Sequence, residues 1–528
     1  MVKVLISDKM SSLTEECLKK SGIDVDVITG LDTKSLAAII SQYDGLVVRS
    51  ATKVTSKILE AGNNLKVVGR AGIGVDNIDV VKATAKGIAV LNTPFGNSIT
   101  TAEHAISMML AIARQIPQAN ASTHQGKWEK SRFMGVELMG KTLGIIGCGN
   151  VGSVVADRAQ GLKMKVIAYD PFLTIQRAEG LSVEKVALLN LFERADFISL
   201  HTPLTDATRD ILDERAFTKM KNSVRIINCA RGGLIVEKDL KTALENGDVA
   251  GAALDVFAHE PAEINSLFGM DNIIATPHLG AATTEAQEKV AQQVAEQIAD
   301  FLTTGAVINA LNMASVSAEE APKLKPYMLL AQQLGSFAGQ ATRSALKEVT
   351  VSFEGLCGDL NYRPLTAVLL QGLLAPQMEG VNMVNAPTIA KDRNILVREV
   401  RSDQAGAFQT LMTLTIKTET QTRSISGTLF NDEPRLVEIK GIPIDAKLGP
   451  HMLFVTNRDK PGLIGALGTI LGDAGINIAT FHLGRSNQGG SAIALIETDG
   501  STSPDLLRVI MSLEHVVTAV SMKFPPAI

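Results

Sequence analysis

Cysteine is scarce: Cys17, Cys148, Cys229 and Cys357 are the only four in 528 residues. They are scattered, with no pair at metal-ligand or redox spacing. That argues against a metal site or disulfide framework and for free thiols in a reducing cytoplasm. A dominant charge is also missing. The formal net charge of −4 removes any global electrostatic case for nucleic acid or an anionic membrane as partner. No uninterrupted apolar run is long enough to span a bilayer. The first residues, Met1 to Asp8, read as an opening strand, too short and too quickly polar for a secretory signal. The expectation is a cytoplasmic protein. What is present is ample. The hydrophobic content is 45%, and the length suggests about three or four domains.

The most informative stretch is Leu143-Gly-Ile-Ile-Gly-Cys-Gly-Asn-Val-Gly152, followed by Val166-Ile-Ala-Tyr-Asp170. An apolar strand feeds Gly147-x-Gly149-x-x-Gly152, a helix-forming run follows, and a second strand ends in an acid. Gly147 permits the tight turn, Gly149 lets the backbone approach a pyrophosphate, and Gly152 lets helix pack on strand. The helix N-terminus offers free N–H groups and partial positive charge to the phosphates. Asp170, 18 residues after Gly152, can accept both ribose hydroxyls. It would repel a 2′-phosphate, so NAD is expected over NADP.

Residues 1–97 alternate strands (near Lys3–Asp8, Gly45–Arg49 and Leu65–Gly69) with helical stretches. Ser98 to about Gln115 reads as a long helix, with Thr100 and Glu103 at capping-box spacing. A second alternating unit follows, with strands near Phe197–Leu200, Val224–Cys229, Ala252–Phe257 and Ile273–Ala275. Thr284 and Gln287 suggest a cap for a helix over about 285–302. Gly72-Ile-Gly74-Val-Asp-Asn77 begins like a second fingerprint, but Asn77 replaces the third glycine; it reads as a strand-end loop lining a cleft. Residues 308–445 mix a helix (Leu324–Ala341) with strands (Leu411–Lys417, Arg435–Lys440) and hold no chemical motif. From His451 the order is βαββαβ, the ferredoxin-like pattern. The expected fold class is α/β: two doubly wound Rossmann-like domains, then an α+β intervening domain and a ferredoxin-like domain. The expected bounds are 1–97 (closed by 281–306), 98–280, 307–446 and 450–528.

Open α/β sheets bind ligands at the carboxyl ends of their strands. Arg231, Asp255, Glu260 and His278 all fall there. Alone, His278 reads first as a satisfied core or turn histidine, and Arg231 as a surface salt bridge. Together they make an alcohol-oxidising set. His278 is the base, since imidazole titrates near neutral pH. Glu260 orients it and stabilises the imidazolium. Arg231 clamps a carboxylate with two parallel N–H···O bonds. Asp255 accepts from a nicotinamide carboxamide.

Asn228-Cys-Ala-Arg-Gly-Gly-Leu-Ile235, Leu254-Asp-Val-Phe-Ala-His-Glu-Pro261 and Thr276-Pro-His-Leu-Gly280 resemble signatures of the D-2-hydroxyacid dehydrogenase family. Arg231, Glu260 and His278 fall on its catalytic positions. Arg70-Ala-Gly-Ile-Gly-Val-Asp-Asn-Ile-Asp79 and Asn92-Thr-Pro-Phe-Gly-Asn-Ser98 extend the match. So does Trp128, the only tryptophan, in Gly126-Lys-Trp-Glu-Lys130. Asn457-Arg-Asp-Lys-Pro-Gly-Leu-Ile-Gly465 and Gly472-Asp-Ala-Gly-Ile-Asn477 resemble an ACT domain. The resemblance is to the long branch of the family, with an intervening domain and a C-terminal ACT domain.

That branch implies NAD-dependent oxidation of 3-phospho-D-glycerate at the entry to L-serine biosynthesis, with L-serine as effector. The implied cofactor contacts are Gly147, Gly149, Asn150, Val151, Gly152, Asp170, Thr202, Pro203, Cys229, Ala230, Arg231, Asp255 and His278. The implied substrate contacts are Arg49, Arg70, Gly72, Asn97 and Arg132, the last reaching a neighbouring subunit's cleft. Asp459 and Asn477 are the implied effector contacts. The resemblance also implies a homo-oligomer, a dimer or tetramer. Two rivals stay open here: a dehydrogenase of another 2-hydroxy acid such as 2-hydroxyglutarate, and a nucleotide-sensing regulator on the same fold.

Overall fold

Short runs rich in Val, Ile and Leu, buried on both faces, build two parallel sheets. In the computed structural model, which describes residues 2–317, 319–404 and 406–524, the first has five strands. From edge to edge they are Asp24–Val27, Lys3–Ile6, Gly45–Val48, Val67–Arg70 and Ala89–Leu91. The helix Thr284–Thr303 returns from the far side of the second sheet to cover this one. Its Val290, Val294 and Ile298 pack with Val4, Ile6 and Val67.

The second sheet has seven strands. The fingerprint strand Thr142–Ile146 lies inside it, with Lys165–Tyr169 and Glu184–Lys185 on one side. On the other lie Phe197–Leu200, Arg225–Asn228, Gly251–Leu254 and Ile273–Ala275. All pairings are parallel. The strand order reverses between Thr142–Ile146 and Phe197–Leu200, the crevice where such folds take a dinucleotide. The helix Ser98–Arg114 joins the two units and buries Ala105, Met109 and Ile112 against this sheet.

Two expected caps are corrected. Asn97, not Thr100, precedes Ser98–Arg114, and no side chain caps that helix. Thr100 lies inside it, with its hydroxyl 3.5 Å from that of Thr283. Thr283, not Thr284, caps the helix Thr284–Thr303 by accepting from Ala286 N.

The motif-free region forms a six-stranded mixed sheet under the helices Ala321–Ala341 and Tyr362–Leu374. Gly335 and Gly372 bring these helices into backbone contact, since a Cβ on Gly335 would overlap Leu369 O. Last comes the βαββαβ unit, an antiparallel sheet ordered Ile478–Arg485, Ser491–Thr498, His451–Arg458, Val516–Lys523. One face packs on its own helices Leu463–Asp473 and Pro504–Met511, through Leu453, Val455, Leu467 and Ile510. The other face gives Met452, Phe454, Leu495 and Met522 to one core with Leu330, Leu334 and Phe337. The two C-terminal units therefore share a hydrophobic core. Among the described residues, no helix is long and apolar enough to cross a membrane.

Candidate active site

The glycine loop is shaped as its residues dictate. Gly147 takes φ 92°, and Gly149 begins the helix Asn150–Gly161 with no side-chain cap. A Cβ on Gly152 would overlap Gly147 O, whereas one on Gly149 would meet nothing within 4 Å. The first N–H groups of the helix are unspent and open space lies above Gly149, which fits a dinucleotide pyrophosphate. Asp170 follows the strand Lys165–Tyr169. Its carboxylate accepts from Cys148 N at 2.9 Å and Phe172 N at 2.8 Å, which fixes the acid beside the loop. His201, Thr202 and Pro203 follow Phe197–Leu200. The carbonyl of His201 sits so close to Gly147 that a side chain there would strike it. Burial pushes the His201 imidazole down to about 4, so it stays neutral beneath the loop. Asn150 Nδ2 reaches Pro94 O at 3.5 Å across the cleft. Val151 packs against the core behind the loop.

The strand ends on the other side carry the candidate catalytic groups. After Arg225–Asn228, the Asn228 side chain shapes a turn, accepting from Ala230 N at 3.0 Å and donating to Arg231 O at 2.8 Å. Cys229 is buried, and burial pushes its thiol well above the usual range. The backbone of Gly232, next to Arg231, presses on that of Phe257 and Ala258. Phe257 N in turn donates to Glu260 Oε1 at 3.0 Å. Glu260 Oε2 lies 2.7 Å from His278 Nδ1. Partial burial would raise the Glu260 carboxyl, but the bonds from His278 and Phe257 N outweigh it and hold the group below its ordinary value. Glu260 thus stays ionised, and His278 Nε2 has no partner among the described residues.

Asp255 departs from expectation. It lies at the expected strand end but is fully buried. Its carboxylate accepts from Thr276 Oγ1 at 2.6 Å, Leu279 N at 2.7 Å and Gly280 N at 2.8 Å. His104 Nε2 stands 3.2 Å away. Burial would raise this carboxyl; the bonds from His104, Thr276 and Leu279 N bring it below the usual range instead. The carboxylate is spent on the turn that carries His278, whose own backbone N donates to Asp255 O at 2.9 Å. Asp255 is a positioning residue for that turn.

Arg49 follows the strand Gly45–Val48 and Arg70 ends its neighbour Val67–Arg70, and Arg70 Nε donates to Arg49 O at 3.3 Å. Burial and the nearby Arg231 charge push the Arg70 guanidinium down to about 10. Three cations therefore gather at the cleft, with Gly72 against Arg70. Asn97 is buried, and its Oδ1 has no partner among the described residues. Arg132 does not join its own chain's cleft. It pairs with Glu129 at 3.1 Å and Asp271 at 3.2 Å, and Asp271 precedes the strand Ile273–Ala275, at the end of that strand away from His278. Sequence reasoning missed His104 and Asp76. His104 is one polar residue on an otherwise apolar helix. Asp76 stood inside the loop that mimics a fingerprint.

In the C-terminal unit the two expected effector residues are both engaged. Asp459 accepts from Arg485 Nη1 and Gly489 N, each at 3.0 Å, and these bonds hold its carboxyl below the ordinary value. Asn477 Nδ2 donates to Asp499 at 3.0 Å. They share no partner.

A nucleotide crevice with a histidine–carboxylate pair and an arginine at its rim defines an NAD-linked dehydrogenase of 2-hydroxy acids. Residues 106–280 match the NAD binding domain of the D-isomer specific 2-hydroxyacid dehydrogenases. Residues 323–440 match the D-3-phosphoglycerate dehydrogenase intervening domain, and 451–515 match the ACT domain. Over 99% of its length the chain is 42% identical to a D-3-phosphoglycerate dehydrogenase of Synechocystis sp., covering 95% of that protein. It is 40% identical to that of Bacillus subtilis, over 99% of this chain and 100% of that one. Solved structures align over about 59% of this chain. The apo D-lactate dehydrogenase of Escherichia coli gives a TM-score of 0.52 at 28% identity, 59% of this chain and 100% of that one. The D-lactate dehydrogenase of Aquifex aeolicus, complexed with NAD and lactic acid, gives 0.54 at 25% identity, 59% of this chain and 100% of that one. The chain belongs to the D-3-phosphoglycerate dehydrogenase family.

Proposed function

We propose that this chain oxidises 3-phospho-D-glycerate to 3-phosphohydroxypyruvate with NAD, the entry step of L-serine biosynthesis. We propose further that L-serine restrains it through the ACT domain. The observation that carries the reaction is the 2.7 Å bond between His278 Nδ1 and Glu260 at the rim of the nucleotide crevice. Bound NAD supplies the hydride acceptor. His278 takes the hydroxyl proton at Nε2, because Nδ1 is held by Glu260, and the carboxylate stabilises the imidazolium that results. Arg231 holds the substrate carboxylate, and Arg49 and Arg70 hold the phosphate.

The units are read as a substrate domain (1–97 with 281–306), an NAD domain (98–280), an intervening domain (307–446) and an ACT domain (450–528). A cytoplasmic homo-oligomer fits two features. All four cysteines are free thiols. The segment 126–140 exposes Trp128, Met134 and Met139, which a second copy would cover while bringing Arg132 to its cleft.

The test is steady-state turnover with NAD on 3-phosphoglycerate, D-lactate and 2-hydroxyglutarate. The highest kcat/KM is expected for 3-phosphoglycerate. Equal efficiency on D-lactate would remove the phosphate role of Arg49 and Arg70.

A further inference from the structure

The loop that mimics a second fingerprint, Gly72–Asn77, carries an acid pointed across the cleft. Asp76 Oδ2 accepts from Arg231 Nε at 2.9 Å, a bond between the first unit and the second. Arg231 Nη1 donates to Ala230 O at 2.6 Å. These two bonds use the Nε hydrogen and one Nη1 hydrogen. The other Nη1 hydrogen and Nη2 have no hydrogen-bond partner among the described residues and remain for a carboxylate. The loop closes on the flank of the same group, since a Cβ on Gly74 would overlap Arg231 Nη2. The loop is itself anchored. Asn77 Nδ2 donates to Arg49 O at 2.7 Å and Thr52 O at 2.6 Å, and Asn92 Nδ2 donates to Ile73 O at 2.6 Å. Asp76 is therefore presented from a scaffold that does not depend on Arg231.

We propose that Asp76 is a positioning residue that aims the remaining N–H groups of Arg231 at the reacting carbon. The inference rests on the reading of Arg231 as the carboxylate clamp. The Asp76 side chain is 60% exposed, and an ion pair so exposed contributes little to stability. Its effect lies in orientation. A clamp held in one geometry keeps the substrate hydrogen aligned for transfer, and a small misplacement there lowers rate steeply. Asp76 also offsets part of the charge of Arg49, Arg70 and Arg231, so its removal strengthens the pull on an anionic substrate while disordering the clamp.

The experiment is a double-mutant cycle on the full chain, with kcat and KM for 3-phosphoglycerate read for each variant. Asp76→Ala is expected to lower kcat about tenfold or more without raising KM. Asp76→Asn, whose amide oxygen still accepts from Nε, is expected to recover part of that loss. In an Arg231→Ala background, Asp76→Ala is expected to change kcat by less than about twofold, because a residue acting through another loses its effect when the other is gone. An equal kcat loss in both backgrounds overturns the proposal. So does a lower KM with unchanged kcat in Asp76→Ala, which would make Asp76 a competitor for the carboxylate place. If Arg231→Ala alone leaves both parameters intact, the clamp reading fails and the proposal falls with it. A loss in Arg231→Ala with none in Asp76→Ala overturns the proposal alone.

Discussion

His278 sits at φ 56°, a left-handed backbone that a residue with a Cβ adopts only when its surroundings impose it. Asp255 is what imposes it, by accepting from Leu279 N and Gly280 N just beyond. Asp255→Asn keeps one acceptor oxygen but turns an NH2 toward the backbone donor that the other oxygen served. A stranded donor costs about 1–3 kcal/mol, and calorimetry at neutral pH should show a lowered Tm. The pH dependence has a definite sign. The folded-state carboxyl of Asp255 lies below its ordinary value. Its contribution is thus fully present above about pH 4 and is lost as pH falls through the folded value. The acid limb of Tm against pH should flatten in Asp255→Asn; an unchanged limb would mean another acid governs it. At His278 itself, substitution by Ala should lower kcat about a hundred- to ten-thousand-fold, while NAD binding, followed by fluorescence, persists. Near-normal turnover would remove the base assignment. The residue types and strand-end positions of Arg231, Glu260 and His278 were legible before any coordinates, because strand ends of a parallel sheet converge. The enclosure of Asp255 was not. It depends on His104 and Thr276, distant in sequence, closing over one carboxylate.

Helices and strands were legible where periodicity is strong. The run Leu324–Ala341 lies within the observed helix Ala321–Ala341, and Ile273–Ala275 matches its strand. Ends were less legible, because Thr283 and Thr284 are chemically identical and only the turn decides which hydroxyl reaches a free N–H. Thr283 accepts from Ala286 N at 3.2 Å. Thr283→Ala should therefore cost about 1 kcal/mol by chemical denaturation, and Thr284→Ala only a few tenths; reversed values would reassign the cap. The intervening region has no motif, yet its helix pair is specified by small residues at Gly335, Gly339 and Gly372, where a Cβ would meet the facing backbone. Gly335→Ala should cost about 1–3 kcal/mol through overpacking. The loss should spread to the ACT sheet, since Phe337 stacks edge-on against Phe454 at 5.0 Å. Hydrogen exchange that rose only in the helices would contradict a shared core.

At the scale of the whole molecule, Asp459 directly follows the strand His451–Arg458, whose sheet packs on two sides. One face is covered by its own helices and the other by the intervening core. A signal from the proposed effector loop would therefore travel as a rearrangement of packed units, and such coupling is usually about 1–3 kcal/mol, or roughly five- to 150-fold in affinity. The loop also sets a condition on the effector. Asp459 is already held by Arg485 and Gly489 N. An incoming ammonium group must share or displace Arg485, which then becomes available to the amino acid's carboxylate. A zwitterion can complete that exchange and a simple amine cannot. The expected result is that L-serine binds the full chain with measurable heat and lowers turnover, that ethanolamine does neither, and that Asp459→Ala reduces both heat and inhibition. Calorimetric titration beside the turnover assay checks all three. Binding of ethanolamine as strong as that of serine would sink the exchange. Absence of heat and of inhibition at millimolar serine would mean that this ACT domain, whose βαββαβ fold is intact, does not sense serine.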